Sequence, residues 1–192
     1  MEVEPIRDMK DVKRMYAYLN ENHTPREAEC FLIGCNVALR AGDLLSLKFS
    51  QMSDTHVTIN EQKTGKKKRF PITRIVRESV ERLKQYYESK GFKATYLFQS
   101  TSNRAAHLCQ PICIQWLGCA LKKGSKVLGL QDNINTHSMR KTWGYHAYEN
   151  GADILYIQGL FNHTSQHITL RYIGVTKSTI EQLYIDNTLD IA

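Results

Sequence analysis

Apolar residues recur along most of the chain at the three- and four-residue spacing of an α-helix. The segment 8–22 is one example, with Met9, Val12, Met15 and Leu19 on one face. Further helices are predicted over about 25–39, 42–47, 72–87, 111–122, 137–150, 153–160, 165–172 and 177–187. The second helix opens with a capping box, T-P-R-E, that has proline at the first helical position. The chain is therefore expected to be mainly helical.

In one region, apolar residues recur at every second position instead of every third or fourth. Val57 and Ile59 alternate with polar residues, Phe70 and Ile72 do the same, and the basic stretch EQKTGKKKR lies between the two pairs. This pattern predicts an antiparallel β-hairpin with a lysine-rich turn, and YLFQS over 96–100 predicts another short strand. The expected fold class is α+β, mainly helical, with a small antiparallel sheet. No repeat or compositional break marks a linker, so residues 1–192 are expected to form one domain.

Composition narrows the class of partner. The 192 residues include 26 Lys and Arg against 19 Asp and Glu, and the resulting charge of +7 favours a polyanion such as nucleic acid or an acidic membrane surface. A hydrophobic content of 42% excludes a disordered chain. No apolar run approaches the roughly 18 residues of a membrane span, and the N-terminus lacks the pattern of a secretory signal. A cytoplasmic protein is expected.

Metal-binding patterns are incomplete in this sequence. The five cysteines form no CxxC pair, and His107, Cys109 and Cys113 lack a fourth ligand at a familiar spacing. His163 and His167 have helical zinc spacing, but no glutamate follows the first histidine and no third ligand is evident. No metal site is expected.

The segment THSMRKTWGYHAYENG is the most informative part of the chain. On a helix, Met139 and Trp143 stack on one face, while His137, Arg140 and Gly144 lie on another face about 100° away. The first face is suited to packing. The second is suited to a phosphate, with the glycine leaving room for a ligand. An isolated HxxR is more often a solvated helix edge, so the motif needs support from other residues.

Other residues supply that support. Arg40 ends an apolar helix in NVALRAGDLLSL, where its charge needs a partner, and Asp43 can pair with it three residues later. His163 follows the HSMR motif, and Tyr172 lies nine residues beyond His163. This arrangement resembles the catalytic domain of the tyrosine recombinases, the phage integrase family, over nearly the whole chain. Because integrases of this family usually carry a preceding helical domain, the chain is expected to be a catalytic fragment without its upstream DNA-binding domains.

The resemblance implies a role for each matching residue. The catalytic set is Arg40, Lys63, His137, Arg140, His163 and Tyr172, with Asp43 as a supporting acid. Two positions depart from the family pattern. Phe161 and Asn162 stand in place of Leu-Gly, and Lys141 stands where a histidine often follows the second arginine. Lys66 lies close enough to Lys63 to keep the lysine assignment open.

Chemistry supports the same roles. A tyrosine hydroxyl has a pKa near 10, so its attack on a phosphodiester needs proton removal and stabilisation of developing charge. Arg40 and Arg140 would clamp the non-bridging oxygens, and Lys63 would protonate the departing 5′-hydroxyl. His137 would accept the Tyr172 proton or bond the phosphate. His163 would donate to a non-bridging oxygen. The product is a 3′-phosphotyrosyl bond, for which neither a cofactor nor a metal is expected.

The predicted function is therefore that of a site-specific DNA recombinase or integrase of a mobile element or phage, cytoplasmic and associated with the nucleoid when bound to DNA. A type IB topoisomerase shares this chemistry but relaxes supercoils, and a non-catalytic DNA-binding regulator has no need for the nucleophile or the general acid. Both remain alternatives. The basic residues predicted to contact double-stranded DNA are Lys66, Lys67, Lys68, Arg69 and Lys141.

Self-assembly is predicted at the end of the chain. In the segment 176–192, Ile180, Leu183 and Tyr184 recur at helical spacing and predict a short amphipathic helix. In the resembling family such a segment often docks on a neighbouring protomer, which suits head-to-tail assembly on DNA. Docking in cis is the alternative.

Overall fold

The computed structural model describes residues 3–102, 107–130, 133–175 and 184–188. Within these ranges the chain forms eight α-helices whose bounds are described, and one β-hairpin. The elements are α1 (Met9–Asn22), α2 (Pro25–Val37), α3 (Ala41–Leu45), a 3₁₀ turn (Phe49–Gln51), β1 (His56–Asn60), β2 (Lys67–Pro71), α4 (Arg74–Ser89), α5 (Ile114–Val127), α6 (Thr136–Glu149), α7 (Ile154–Phe161) and α8 (Gln166–Tyr172). The predicted mainly helical α+β fold is confirmed.

The helix starts follow from local capping. Asp8 accepts a hydrogen bond from the backbone N–H of Lys10 at 2.7 Å and begins α1. Thr24 and Glu27 form the predicted capping box at the start of α2. The helix predicted over 111–122 instead spans 114–127. The preceding backbone is engaged elsewhere, because the N–H of Ile112 donates to the carbonyl of Phe98 at 2.8 Å.

The main core surrounds α2, which packs against α1, α4 and α6. A Cβ built on Gly34 of α2 would lie 2.6 Å from Sδ of Met139 in α6. The glycine therefore permits close approach of these two helices. A smaller apolar cluster, formed by Ala38, Ile157, Phe161 and Ile173, joins the end of α2 to α7 and to the turn after α8.

The hairpin confirms the predicted antiparallel sheet. Val57 pairs with Phe70 and Ile59 pairs with Lys68, and the side chains of Lys68 and Phe70 both face the protein interior. In contrast, the strand predicted over 96–100 is wrong. The side-chain Oε1 of Gln99 accepts the backbone N–H groups of Thr95 and Tyr96, so this segment forms a turn with only isolated bridges.

The helix predicted over 177–187 lies largely outside the described residues, as does most of the segment 176–192. Among the residues that are described, no helix has both the length and the apolar character needed to cross a membrane.

Candidate active site

Arg40 is positioned by the junction between α2 and α3. The first helix ends where Ala38 adopts a left-handed conformation with φ of 52°, and Arg40 directly precedes α3. Its Nη1 lies 2.8 Å from Oε1 of Glu61, whose side chain is fully buried. Glu61 is thus the ion-pair partner of Arg40, and the expected pairing with Asp43 is wrong. The buried Asp43 instead accepts the backbone N–H of Gln62 at 2.8 Å, which ties α3 to the hairpin.

Lys63 lies in the exposed turn of the hairpin. The turn is closed by two backbone hydrogen bonds, from Glu61 N–H to Lys66 O at 2.9 Å and from Gly65 N–H to Glu61 O at 2.8 Å. Lys63 lines a pocket of about 230 Å³ together with Arg40 and His137. The structure therefore brings these three predicted residues to one cavity.

Arg140 is buried, with 2% of its surface exposed. Its Nη2 donates to the carbonyl of Phe161 at 3.1 Å, and its guanidinium carbon lies 4.4 Å from the centre of the Phe161 ring. Its Nη1 is also buried and makes no hydrogen bond of good geometry within the described part of the chain, although the guanidinium lies within hydrogen-bonding reach of the Tyr172 hydroxyl. A buried guanidinium with an incompletely used donor is costly, so Arg140 is suited to an anionic ligand such as a phosphate oxygen.

His137 lies at the accessible rim of the pocket. Partial removal of water from around its ring lowers the pKa of His137. The positive charges of Arg140, Lys141 and Arg40 lower that pKa further. The imidazole is consequently neutral near pH 7 and has a lone pair that can accept a proton.

His163 follows α7 and contacts α8. Partial burial, then the charges of Arg140 and Arg40, lower the pKa of His163. Its Nδ1 lies 3.2 Å from the hydroxyl oxygen of Thr169, and that hydroxyl donates to the carbonyl of Ser165 at 3.1 Å. Because the threonine proton is used in this way, Nδ1 of His163 carries the ring proton. A neutral His163 therefore presents an acceptor at Nε2.

Tyr172 is the last residue of α8. Its ring centre lies 4.9 Å from that of His163 and 5.4 Å from that of Phe161. Burial raises the pKa of Tyr172, while the charges of Arg140 and Arg40 and a hydrogen bond from Arg140 act in the opposite direction. The phenol is therefore protonated near neutral pH, so it must lose its proton to a base when it attacks.

Two lysines predicted to contact DNA are buried in this site, and both predictions are wrong. Lys141 is 4% exposed, and its Nζ lies 4.9 Å from the centre of the Tyr172 ring. Lys68 donates to the carbonyls of Ala38 at 2.9 Å and Leu160 at 3.2 Å. Burial and the charge of nearby Arg140 lower the pKa of Lys68 to about 8. The hairpin pattern could have indicated this burial, because residue 68 shares a strand face with the apolar residue 70.

Gly144 also has a different role from the one expected. A Cβ at this position would lie 2.7 Å from Cγ2 of Ile173 and 2.8 Å from the ring of Phe161. The missing side chain therefore makes room for the apolar neighbours of Tyr172 and leaves no space for a ligand.

Three of the residues predicted to contact DNA are exposed on the hairpin, namely Lys66, Lys67 and Arg69. Their contact with DNA stays a prediction.

Glu61 was not among the predicted site residues, and no local motif singles it out.

Comparison with known proteins assigns the family. Residues 7–179 match the sequence profile of the phage integrase family. The chain is 33% identical over 184 residues to the probable integrase/recombinase YoeC of Bacillus subtilis (strain 168), with 95% of both chains covered. It is 26% identical over 159 residues to the tyrosine recombinase XerA of Pyrococcus horikoshii, covering 82% of this chain and 53% of that protein. The chain thus spans nearly all of YoeC but about half of XerA.

Solved structures agree on the fold. The crystal structure of XerA recombinase matches with a TM-score of 0.73 at 19% identity, covering 98% of this chain and 67% of that chain. A lambda integrase dimer bound to a COC′ core site matches with a TM-score of 0.70 at 16% identity, covering 90% of this chain and 49% of that chain. The fold is that of the catalytic domain of a tyrosine recombinase, a class of enzyme that cleaves and rejoins DNA. The chain belongs to the phage integrase family.

Proposed function

We propose that this chain cleaves and rejoins double-stranded DNA at specific sites through a 3′-phosphotyrosyl intermediate formed on Tyr172, as the catalytic domain of an integrase from a mobile element or phage. The observation that carries this proposal is the placement of Tyr172 beside both His163 and the buried guanidinium of Arg140. A tyrosine that serves only for packing has no need of a histidine and a buried arginine at its ring.

The charges around the site support phosphate binding. Arg40, Lys68, Lys141 and Arg140 provide four cations, and Glu61 and Asp43 provide two carboxylates. The site therefore keeps an excess of positive charge, which favours binding of a phosphodiester. The two arginines clamp the non-bridging oxygens and stabilise the charge that develops during transfer.

Proton transfer is divided between two sides of the phosphate. His137, neutral near pH 7, accepts the Tyr172 proton or bonds the phosphate. Lys63, on the hairpin turn, protonates the departing 5′-oxygen. His163 donates to a non-bridging oxygen once its ring is protonated, a form that the negative charge of the bound phosphate favours.

A suicide substrate tests the proposal. Nicked duplexes with a randomised core are incubated with the protein, and covalent products are digested and analysed by mass spectrometry. We expect a nucleotide on the peptide that contains Tyr172, and we expect Tyr172→Phe to abolish it. Tyr86→Phe, a control on α4, should retain the adduct. An adduct on another residue would move the nucleophile, and absence of any adduct would favour a DNA-binding regulator.

Supercoiled plasmid separates a recombinase from a topoisomerase. A type IB topoisomerase would relax plasmids irrespective of sequence, whereas an integrase exchanges strands between two copies of the site recovered from the adducts. Strand exchange without general relaxation is the outcome that we expect.

Assembly on DNA is the second part of the proposal. Among the solved relatives, lambda integrase is described as a dimer on a core site and as a tetramer on a Holliday junction. We propose that segment 176–192 of one protomer docks on the exposed apolar side chains of α7 and α8 in its neighbour. These side chains, the acceptor patch, are Leu155, Tyr156, Leu160 and Ile168.

Gel-shift titration on paired half-sites tests this docking. Deleting 176–192 should weaken occupation of the second half-site more than that of the first, and Tyr156→Ser should do the same. Ile75→Ser alters an exposed apolar residue on α4 and should leave cooperativity unchanged. Unchanged cooperativity after the deletion would place the segment in cis. A preceding DNA-binding domain and a location in the cytoplasm, at the nucleoid when bound to DNA, also remain proposals.

A further inference from the structure

The buried carboxylate of Glu61 joins three segments of the active site. Its Oε1 lies 2.8 Å from Nη1 of Arg40, and its Oε2 accepts from the hydroxyl of Thr64 at 2.7 Å and from Nδ2 of Asn162 at 3.0 Å. Arg40 belongs to the phosphate clamp, Thr64 directly follows Lys63, and Asn162 directly precedes His163. One side chain thus contacts the surroundings of three proposed catalytic groups.

This carboxylate is held in its charged form. Burial alone would raise the pKa of Glu61, but the Thr64 hydroxyl and the Arg40 guanidinium outweigh burial and lower that pKa below its ordinary value. A buried carboxylate is stabilised by the groups that pair with it. Losing one of these partners leaves the charge of Glu61 incompletely compensated and destabilises the contacts that it makes.

Asn162 holds the hairpin turn at both of its ends. Its Nδ2 donates to Glu61 before the turn, and its Oδ1 accepts from Nζ of Lys66 after the turn at 3.4 Å. Its backbone has φ of 55° and ψ of 40°, the left-handed region that glycine and asparagine tolerate best. Glycine could therefore satisfy the backbone, but only a side-chain amide makes these two contacts.

We propose that Glu61 and Asn162 are positioning residues that hold the hairpin turn against the end of α7, so that Lys63 faces the pocket shared with Arg40 and His137. This proposal rests on the proposed function, in which Lys63 is the general acid.

Asn162→Gly provides a clean test, because it removes the amide and keeps a residue suited to the backbone. Cleavage of an ordinary phosphodiester should slow by about tenfold, the effect of losing roughly one well-placed hydrogen bond. Cleavage of a 5′-bridging phosphorothiolate should stay near the wild-type rate, because a thiolate leaves without a proton from Lys63. Equal slowing on both substrates, or no slowing on either, would overturn the proposal.

Two further variants sharpen the result. Asn162→Asp keeps the size and backbone preference but places a second carboxylate against Glu61, so it should slow phosphodiester cleavage more than Asn162→Gly. Glu61→Gln keeps the volume but removes the charge that orients Arg40, so it should slow cleavage of both substrates. Unimpaired cleavage in Glu61→Gln would remove Glu61 from the proposal.

Hydrogen exchange on the free protein separates this proposal from the proposed function. In Asn162→Gly the amide of Gly65, which donates to the Glu61 carbonyl, should exchange about tenfold faster because the turn opens more often. Amides of the ladder between β1 and β2 should keep wild-type rates. Unchanged exchange at Gly65 would refute the positioning role, even if wild-type protein formed adducts. Faster exchange in a protein that formed no adducts would support the positioning and refute the proposed function.

Discussion

The ammonium group of Lys141 faces the ring of Tyr172, with 4.9 Å between Nζ and the ring centre. A cation over the face of an aromatic ring is attracted to the ring and helps to hold it in place. Lys141→Met should therefore hold the Tyr172 ring less firmly and slow adduct formation. Near neutral pH we expect a loss on the order of 1 kcal/mol in transition-state stabilisation.

Lys141→Arg is the matched control, because it keeps the charge near the ring. Its rate of single-turnover cleavage should lie closer to that of the wild type. Equal rates for the wild type and Lys141→Met would show that the contact does not help to position Tyr172.

Lys68 should make stability depend on pH in the alkaline range. Its pKa is lowered from 10.5 to about 8 by burial and by Arg140, so between these values the unfolded chain binds more protons than the folded protein. Raising the pH through this window should therefore stabilise the fold, by on the order of 1 kcal/mol per pH unit. The check is the free energy of unfolding in urea for the wild type and for Lys68→Met, compared at about pH 7 and about pH 9.5. Parallel changes in the two proteins would contradict the assignment.

Gly144→Ala should impair both stability and catalysis. The added methyl group would meet Ile173 and Phe161 at less than 3 Å, so α8 must shift together with Tyr172. We expect a loss of about 1–3 kcal/mol in the free energy of unfolding, typical of an overpacked core, and slower adduct formation at temperatures where the variant stays folded. Gly159→Ala is the control, because a Cβ there meets no atom within 4 Å. Wild-type cleavage by Gly144→Ala would show that the contact does not position Tyr172.

Arg140→Lys should slow adduct formation by about 10²–10³, because an ammonium group cannot hold both the Phe161 carbonyl and a phosphate oxygen in the geometry of a guanidinium fork. Arg82→Lys weakens a different arginine contact, the bidentate pair with Glu29, and should retain the chemistry. Single-turnover cleavage on the suicide duplex measures both variants. Similar rates for the wild type and Arg140→Lys would remove Arg140 from the clamp.

Much of the fold could be predicted because its signals are local. The capping box at Thr24 and the four-residue spacing of Met139 and Trp143 lie within single helices, and the alternation around Val57 lies within one strand. The prediction of a strand over 96–100 was wrong because the side chain of Gln99 hydrogen-bonds the backbone of its own segment and holds it in a turn.

The site was less predictable where partners are distant in sequence. Asp43 is three residues from Arg40 and was the natural partner, but the hairpin brings Glu61 to it from 21 positions away. The burial of Lys141 could not be inferred from the local sequence, because it depends on how α6 packs against the rest of the protein. The burial of Lys68 did have a local signal, the strand face that it shares with Phe70.

The small apolar cluster of Ala38, Ile157, Phe161 and Ile173 has a consequence for regulation. It holds the end of α8 with four buried side chains and with partly buried apolar neighbours such as Trp143, in the described part of the chain and apart from the larger core around α2. Separating this small cluster costs less free energy than unfolding the whole domain. Under the proposed function, Tyr172 can therefore be withdrawn from or returned to the phosphate while the core around α2 remains folded, so a partner that binds near α8 would control cutting without disturbing the rest of the domain.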